Sequence, residues 1–351
     1  MNLDPYKILR RELNINLCQH DLFKTAHKAL FTYASLATPG NVIIFCGPPR
    51  AGKSTLGEIV SRELVLSLHE DNPDHIPIIL IEAVNAKDGL FSMKHLTLRG
   101  LEECRHPIMK DVGSMDPDLY IPRISFEETY LRIAFEKALK YRKTLYVVID
   151  EASHLTIGRS IERASNVLDS IKCLGNTTKI ILILISGYSL LKHLFASAHL
   201  TGRARIIEFP RYNNTTHDIY NFDRVLETIT HFVPLKKGKS LLDFREMLLT
   251  GSVGTFGLLI EWLETAMSAM AVDDARYLNK GYLERTRIQK QIDAIKEDIA
   301  MGAKCLEKLD LSVEIDFAEL RERETMKSRS RKPFQRKPHR DHVGRPLPGN
   351  V

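Results

Sequence analysis

Short apolar runs alternate with amphipathic segments over the first two thirds of the chain. Runs rich in β-branched residues, which are typical of buried strands, occupy 41–46, 76–83, 144–149, 179–186 and 206–209. Amphipathic patterns indicate helices over 1–38, from the Gly-rich loop after the first run to about residue 69, and over 125–141 and 160–174. Strands that alternate with helices predict an α/β fold with a parallel, doubly wound sheet covered on both faces.

Helical patterns replace strand patterns from about residue 214. They run through 226–232, 241–249, 255–270 and 273–309, and the polar stretch 282–309 predicts a long, solvent-facing helix that could serve as a platform for partners. We therefore predict four parts: an N-terminal helical segment (1–38), an α/β domain (39–212), a helical lid domain with the long helix (213–326), and a flexible tail (327–351). The tail has too few apolar residues to fold alone.

The positive charge of the chain is concentrated in that tail. The whole sequence has a formal net charge of +6, whereas residues 327–351 contain eight Lys or Arg and one acid. The rest of the chain is therefore close to neutral. A general positive field cannot explain binding to nucleic acid, so any DNA contact of the folded body must come from local patches.

Other features of the sequence exclude several classes of protein. The longest strongly apolar stretch, Ile180–Ile185, is far shorter than the roughly 20 residues that span a membrane, and the N-terminus has no apolar signal region. The five cysteines contain no CxxC pair, which argues against a zinc site or a disulfide framework. We expect a cytoplasmic protein with no membrane contact.

A phosphate-binding motif follows the first predicted strand and opens a helix. Residues 47–54 match GxxxxGK[ST], and their context supports a P-loop. Backbone N–H groups and the helix N-terminus would hold phosphates, the lysine would reach the β- and γ-phosphates, and the serine hydroxyl would bind Mg²⁺. The predicted cofactors are thus ATP and Mg²⁺, and the predicted nucleotide-binding residues are Gly47, Pro48, Pro49, Arg50, Ala51, Gly52, Lys53, Ser54 and Thr55.

Two adjacent acids end the third predicted strand. Asp150 at the strand end is placed to hold Mg²⁺ through water, and Glu151 is placed to activate the attacking water. Nucleotide kinases rarely need the second acid, because their nucleophile is an oxygen of the substrate. The pair favours hydrolysis of ATP over phosphoryl transfer to a metabolite.

Three further residues are candidates for the catalytic set. Ser186 ends the fourth strand, where it could sense the γ-phosphate or simply cap the strand. Arg203 and Arg205 come just before the fifth predicted strand, and one of them could act on a nucleotide in an adjacent subunit. A surface ion pair is the better interpretation for either one alone.

The motifs together resemble those of a known family. The stretches VVIDEASHL, ILILISGYSLL, TGRARIIEFPRY and GSVGTFGLLIEWLETAM occur in the order and spacing of the TnsC/TniB-type AAA+ ATPases that regulate Tn-seven-like transposons, some of them CRISPR-associated. The resemblance covers roughly residues 20–270 and implies an AAA+ P-loop fold. It also places Ser186 at sensor 1 and the two arginines in the arginine-finger region. Ser186-Gly187 replaces the Gly-Thr of many relatives, and the helical domain lacks an obvious sensor-2 motif.

The resemblance implies a regulator that binds double-stranded DNA without sequence preference and assembles on it as a ring or filament when ATP is bound. Its implied partners are transposase subunits and a target-selection protein, TniQ-like or a DNA-binding selector. In this family DNA contacts come from the insertion between the second and third strands, here 85–107, with Lys87, Lys94 and Arg99 as candidates. A solvated helix face is the alternative for that segment.

Three other functions remain open from the sequence. A ligand-sensing P-loop switch would not need DNA, a nucleoside or sugar kinase would need a substrate pocket and a mobile lid, and a replicative helicase loader shares most of the same physics. Stimulation of ATP hydrolysis by DNA would separate the regulator from the first two, and a transposase partner would separate it from the third.

Overall fold

Five parallel strands form a sheet in the computed structural model of the chain. The structure describes residues 20–68, 72–85, 89–109, 127–194, 204–287 and 289–308. The strands are β1 (Val42–Cys46), β2 (Ile78–Glu82), β3 (Tyr146–Asp150), β4 (Ile181–Ser186) and β5 (Ala204–Glu208). Their order across the sheet is β2-β3-β4-β1-β5, and every paired neighbour is parallel.

Eleven α-helices lie within the described residues. They are α1 (Asp21–Leu36), α2 (Lys53–Ser67), α3 (Met93–Glu103), α4 (Glu128–Tyr141), α5 (Ile161–Thr178), α6 (Leu191–Leu194), α7 (Thr216–Thr230), α8 (Arg245–Gly251), α9 (Phe256–Val272), α10 (Lys280–Thr286) and α11 (Gln289–Lys308). Short 3-10 turns cover Pro107–Met109, Ala152–Leu155, Tyr188–Leu190 and Leu241–Phe244.

The position of each strand in the sheet explains its composition. β1 and β4 are buried at every residue, because they have a strand on either side and helices on both faces. The edge strands β2 and β5 bury fewer residues. Alternate residues of β1 point to opposite faces: Ile43 and Phe45 pack with α1 and α2, whereas Val42 and Ile44 pack with the helices of the other face.

The chain after β5 is helical and has its own apolar cluster. Residues of α7, α8, α9 and α10 pack around Leu226, Leu248, Leu259 and Leu263. The indole N–H of Trp262 donates to the carbonyl of Leu283 at 3.0 Å, which ties α9 to α10. The predicted α/β class and the helical region that follows it are therefore confirmed.

The predicted helix over 273–309 is interrupted, and its predicted solvent-facing character is wrong for α11. The chain turns after α9, where Asp274 has a φ of +49°, and restarts at α10, which Asn279 caps through its side chain. α11 packs Ile292, Ile299 and Cys305 into the core that covers one face of the sheet. A further helix, α3, lies in the segment 85–107, against β2 and α4.

Parts of the predicted organisation fall outside the described residues, including 309–326 of the helical lid domain. The whole tail (327–351) and the first half of the N-terminal segment (1–19) also lie outside them. No single helix in the described part of the chain is long and apolar enough to cross a membrane. One pair, Leu241–Gly251 with Phe256–Val272, passes that test only when taken together, and it is bent by 118°.

Candidate nucleotide-binding site

The predicted P-loop forms a tight turn between β1 and α2. Gly52 has a φ of +99° and occupies the N-cap position of α2, where it offers no side chain to cap the helix. Arg50 also adopts a left-handed conformation, with a φ of +59°. The loop therefore wraps around the helix N-terminus, whose uncapped N–H groups and partial positive charge favour an anion.

The lysine of this motif is held by the loop itself. Lys53 donates from Nζ to the carbonyl of Gly47 at 3.1 Å and to that of Pro48 at 2.7 Å. Burial lowers its pKa, and the carboxylates of Glu151 and Asp150 oppose that shift. A cation is thus positioned on the inner side of the loop, within the electrostatic influence of the two acids.

The two acids lie at the end of β3 and face the same cavity. Asp150 is half-buried, and its Oδ1 accepts the backbone N–H of Glu151 at 2.7 Å. Glu151 is exposed, and its φ of +51° marks a sharp turn into the 3-10 segment Ala152–Leu155. The turn leaves Glu151 free to meet a water molecule, whereas Asp150 is anchored.

The end of β4 lies beside this pair. Ser186 is buried, and its hydroxyl donates to the carbonyl of Gly187 at 2.9 Å. The N–H of Gly187 in turn donates to the hydroxyl of Ser153 at 2.9 Å, in the turn after Glu151. The ends of β3 and β4 are therefore joined directly at the site.

These elements enclose one cavity of about 1000 Å³. Its lining includes all the predicted nucleotide-binding residues from Pro49 to Thr55, both acids and Ser186. The carbonyls of Gly47 and Pro48 accept hydrogen bonds from Lys53, which lines the cavity. The sequence did not indicate the other walls of the cavity: Phe23 of α1, residues 256–264 of α9, and Asp298 of α11. These residues reach the cavity only through the tertiary fold, and no local motif marks them.

The first turn of α9 approaches the P-loop very closely. The N–H of Gly257 donates to the carbonyl of Arg50 at 3.0 Å, and a Cβ at Gly257 would overlap that carbonyl. The Arg50 guanidinium lies 3.3 Å from the Glu261 carboxylate, one turn further along α9. The helical region therefore forms a wall of the cavity, which is what a lid over a nucleotide requires.

The residues present fit ATP and Mg²⁺. The cavity has an uncapped helix N-terminus and a lysine for phosphates, and apolar walls from Phe23, Phe256 and Ile260. The Ser54 hydroxyl and the Asp150 carboxylate are oxygen ligands of the kind Mg²⁺ prefers. Within the described residues no group of three His, Cys, Asp or Glu side chains could hold a metal alone, so an ion here would also need water and phosphate oxygens.

The remaining predicted residues lie away from the cavity. Arg205 is exposed near the start of the edge strand β5, opposite Ile43, and it does not line its own chain's cavity. Lys94 and Arg99 are half-buried on α3, and neither makes an ion pair with another described residue. Lys87 and Arg203 lie outside the described residues.

Comparisons with known proteins give distant structural similarity only. No protein-family model matches the chain, and no curated protein is similar enough to match. The RuvB Holliday junction branch migration motor of Thermotoga maritima is 16% identical, with a TM-score of 0.38, over 76% of this chain and 68% of that one. Cdc6p from Pyrobaculum aerophilum is 14% identical, with a TM-score of 0.43, over 75% and 65%. A Walker-type ATPase of Pyrococcus abyssi is 17% identical, with a TM-score of 0.40, over 83% and 75%.

Proposed function

We propose that this chain is an ATPase of the AAA+ type. One observation carries the proposal: Lys53 and Ser54 of the P-loop line the same cavity as Asp150 and Glu151. Phosphate-binding and water-activating groups are thereby brought together from two separate strands. The lid wall formed by α9 supports the same function, since it would exclude bulk water from a bound nucleotide.

Each residue of the site has a defined task in hydrolysis. The N–H groups of the P-loop and Lys53 bind the phosphates and stabilise the charge that develops on the γ-phosphoryl oxygens. Glu151 accepts a proton from the attacking water, and Ser186 orients that water or the γ-phosphate. Ser54 and Asp150 would hold Mg²⁺, which would neutralise phosphate charge when bound.

We further propose that ATP controls the assembly of this protein on double-stranded DNA as a ring or filament. In this proposal it links a target-selection protein to a transposase, and hydrolysis disassembles or proof-reads the complex. The motif resemblance over residues 20–270 supports this role, as do the basic residues Lys94 and Arg99 on α3, which have no ion-pair partner among the described residues. Assembly would multiply a few phosphate contacts per subunit, so a nearly neutral body could still bind DNA. Arg203 or Arg205 would act on the nucleotide of a neighbouring subunit.

The first test measures phosphate release and particle assembly together. Wild type, Lys53→Ala and the exposed control Lys28→Ala on α1 are incubated with ATP-Mg²⁺ or ADP, with or without a random-sequence duplex, and imaged by negative stain. We expect rings or filaments only with ATP and DNA, in wild type and in the control but not in Lys53→Ala. Assembly that captures a transposase subunit would support the regulator over a helicase loader.

Other results would overturn parts of the proposal. Hydrolysis without any DNA assembly at low salt would support a ligand-sensing switch. Transfer of the γ-phosphate to a nucleoside or sugar, with little release to water, would support a kinase. Absence of both ATP binding and hydrolysis in wild type would overturn the ATPase itself.

A further inference from the structure

The turn after β4 is tied to the far side of the strand that carries the P-loop. Tyr188 is almost completely buried, and its hydroxyl donates a hydrogen bond to the carboxylate of Glu208 at the end of β5. β1 lies between β4 and β5, and its last residue, Cys46, is in register with both Ser186 and Glu208. The hydrogen bond therefore crosses the end of β1, where the P-loop begins.

The junction at that point is closely packed. The N–H of Phe209, next to Glu208, donates to the carbonyl of Cys46 at 2.7 Å. A Cβ at Gly47 would lie 2.9 Å from the Cβ of Phe209 and 3.0 Å from its carbonyl oxygen, so the first residue of the loop packs directly against the residue that follows β5. Gly47 also accepts a hydrogen bond from Lys53. A shift of β5 relative to β1 would therefore move the groups that hold the lysine.

The ring of Tyr188 packs against the backbone of α11. A Cβ at Gly302 would overlap the Tyr188 ring, so the ring packs against the helix backbone at a position that only glycine allows without a shift. Asp298 lies one helical turn before Gly302 and lines the nucleotide cavity. The helix α11 therefore contacts the cavity through Asp298 and the Tyr188 ring through Gly302.

We propose that Tyr188 is a positioning residue for ATP hydrolysis. Its hydrogen bond to Glu208 and the packing of its ring against Gly302 fix its position. It fixes the Ser186–Gly187 turn relative to the start of the P-loop, on the side of the cavity where water must attack. This inference rests on the proposed ATPase function. It also makes α11 a structural part of the nucleotide site.

The matched pair for the test is Tyr188→Phe and Tyr146→Phe. Each removes one tyrosine hydroxyl that donates a hydrogen bond. Tyr146 is the first residue of β3, at the opposite end of the sheet, and its hydroxyl donates to the carbonyl of Ala34 at 3.1 Å. We expect similar small losses of melting temperature. Only Tyr188→Phe should lower kcat, by about tenfold, with a less than threefold change in KM for ATP, because misalignment affects the chemical step more than phosphate binding.

Two further substitutions separate the hydrogen bond from packing. Glu208→Gln keeps an oxygen that can accept from Tyr188 and should stay within about threefold of wild type, whereas Glu208→Leu should match Tyr188→Phe. Gly302→Ala should also lower kcat by displacing the ring, although alanine normally suits a helix better than glycine. The double variant Tyr188→Phe, Glu208→Leu should be no slower than either single variant, because both remove the same interaction.

The outcomes distinguish this inference from the function on which it rests. If wild type neither binds nor hydrolyses ATP, the proposed function itself fails. If wild type is active and Tyr188→Phe has the kcat of Tyr146→Phe, the inference is wrong. A higher KM with unchanged kcat would also contradict it. Should Tyr188→Phe fail to fold by circular dichroism, Glu208→Leu carries the same comparison.

Discussion

At the scale of single residues, the two acids that end β3 have different surroundings and therefore different expected roles. Asp150 is half-buried and accepts a backbone N–H, whereas Glu151 is exposed to the cavity. We predict that Glu151→Gln retains ATP binding but lowers the rate of phosphate release by about 10²- to 10⁴-fold, because the amide cannot take a proton from water. A fluorescent ATP analogue reports binding, and a phosphate sensor reports the rate.

The control for that change is Glu162→Gln, an exposed acid in the first turn of α5, which should leave both measurements unchanged. If Glu151→Gln hydrolyses ATP at the wild-type rate, another group activates the water. If it loses ATP binding as well, Glu151 contributes to holding the nucleotide, and its role as a base would have to be withdrawn.

His20 gives a second prediction at this scale, on the pH dependence of stability. Its Nδ1 accepts the N–H of Phe23 at 3.2 Å, its ring stacks on Phe256 with centroids 5.2 Å apart, and burial lowers its pKa to about 4. The unfolded chain takes up a proton below about pH 6.5, whereas the folded chain resists until about pH 4. Stability should therefore fall by about 3 kcal/mol as the pH falls through that window.

The variant for this test is His20→Asn, whose side-chain oxygen can still cap α1 but does not titrate. Melting temperatures of wild type and His20→Asn are measured from pH 7 to pH 4.5. The melting temperature of wild type should fall more than that of the variant as the pH falls. Parallel curves over the whole range would mean that His20 is not the group responsible.

At the scale of elements, the contact between the P-loop and α9 decides whether the helical region acts as a lid. Gly257→Ala would place a Cβ against the Arg50 carbonyl and push the first turn of α9 away. We predict at least a tenfold loss of ATP affinity, measured by titration with the fluorescent analogue, because α9 supplies the apolar wall through Phe256 and Ile260.

Gly281→Ala in α10 is the matched control, since the nearest atom to its added Cβ would be the side-chain oxygen of Asn279, at 3.1 Å. It should bind ATP as wild type does. Unchanged ATP affinity in Gly257→Ala would show that the P-loop binds the nucleotide without help from this helix.

The elements that the sequence predicted are those defined by local patterns. β1, β3 and β4 are continuous apolar runs, and the P-loop and the acids after β3 directly follow them. The strands and the meeting of these residues at one cavity could therefore be predicted. The packing of α11 could not, because three buried apolar residues in a polar helix give a weak signal. Asp298 reaches the cavity only because that helix folds back onto the site.

At the scale of the whole molecule, the nucleotide cavity draws on residues from Phe23 to Asp298. Substitutions in α1 or α11 can therefore affect ATP binding although no motif marks them. The basic residues of α3 are different, since they lie outside the cavity. The proposed function therefore predicts that ATP binding and DNA binding are separable by mutation.

The salt dependence of DNA binding tests that separation. DNA binding is measured with a non-hydrolysed ATP analogue at several salt concentrations. For the double variant Lys94→Gln, Arg99→Gln, the plot of the logarithm of the DNA association constant against the logarithm of salt concentration should have a smaller slope. The slope should decrease by about one for each phosphate contact removed per bound subunit. Its affinity for the nucleotide should equal that of wild type. The double variant Lys24→Gln, Lys28→Gln on α1 removes the same charge from exposed positions and should keep the wild-type slope. Both double variants change the net charge equally, whereas a local contact depends on where the charges are removed. Equal slopes for the two would therefore mean that α3 is not the DNA-binding surface.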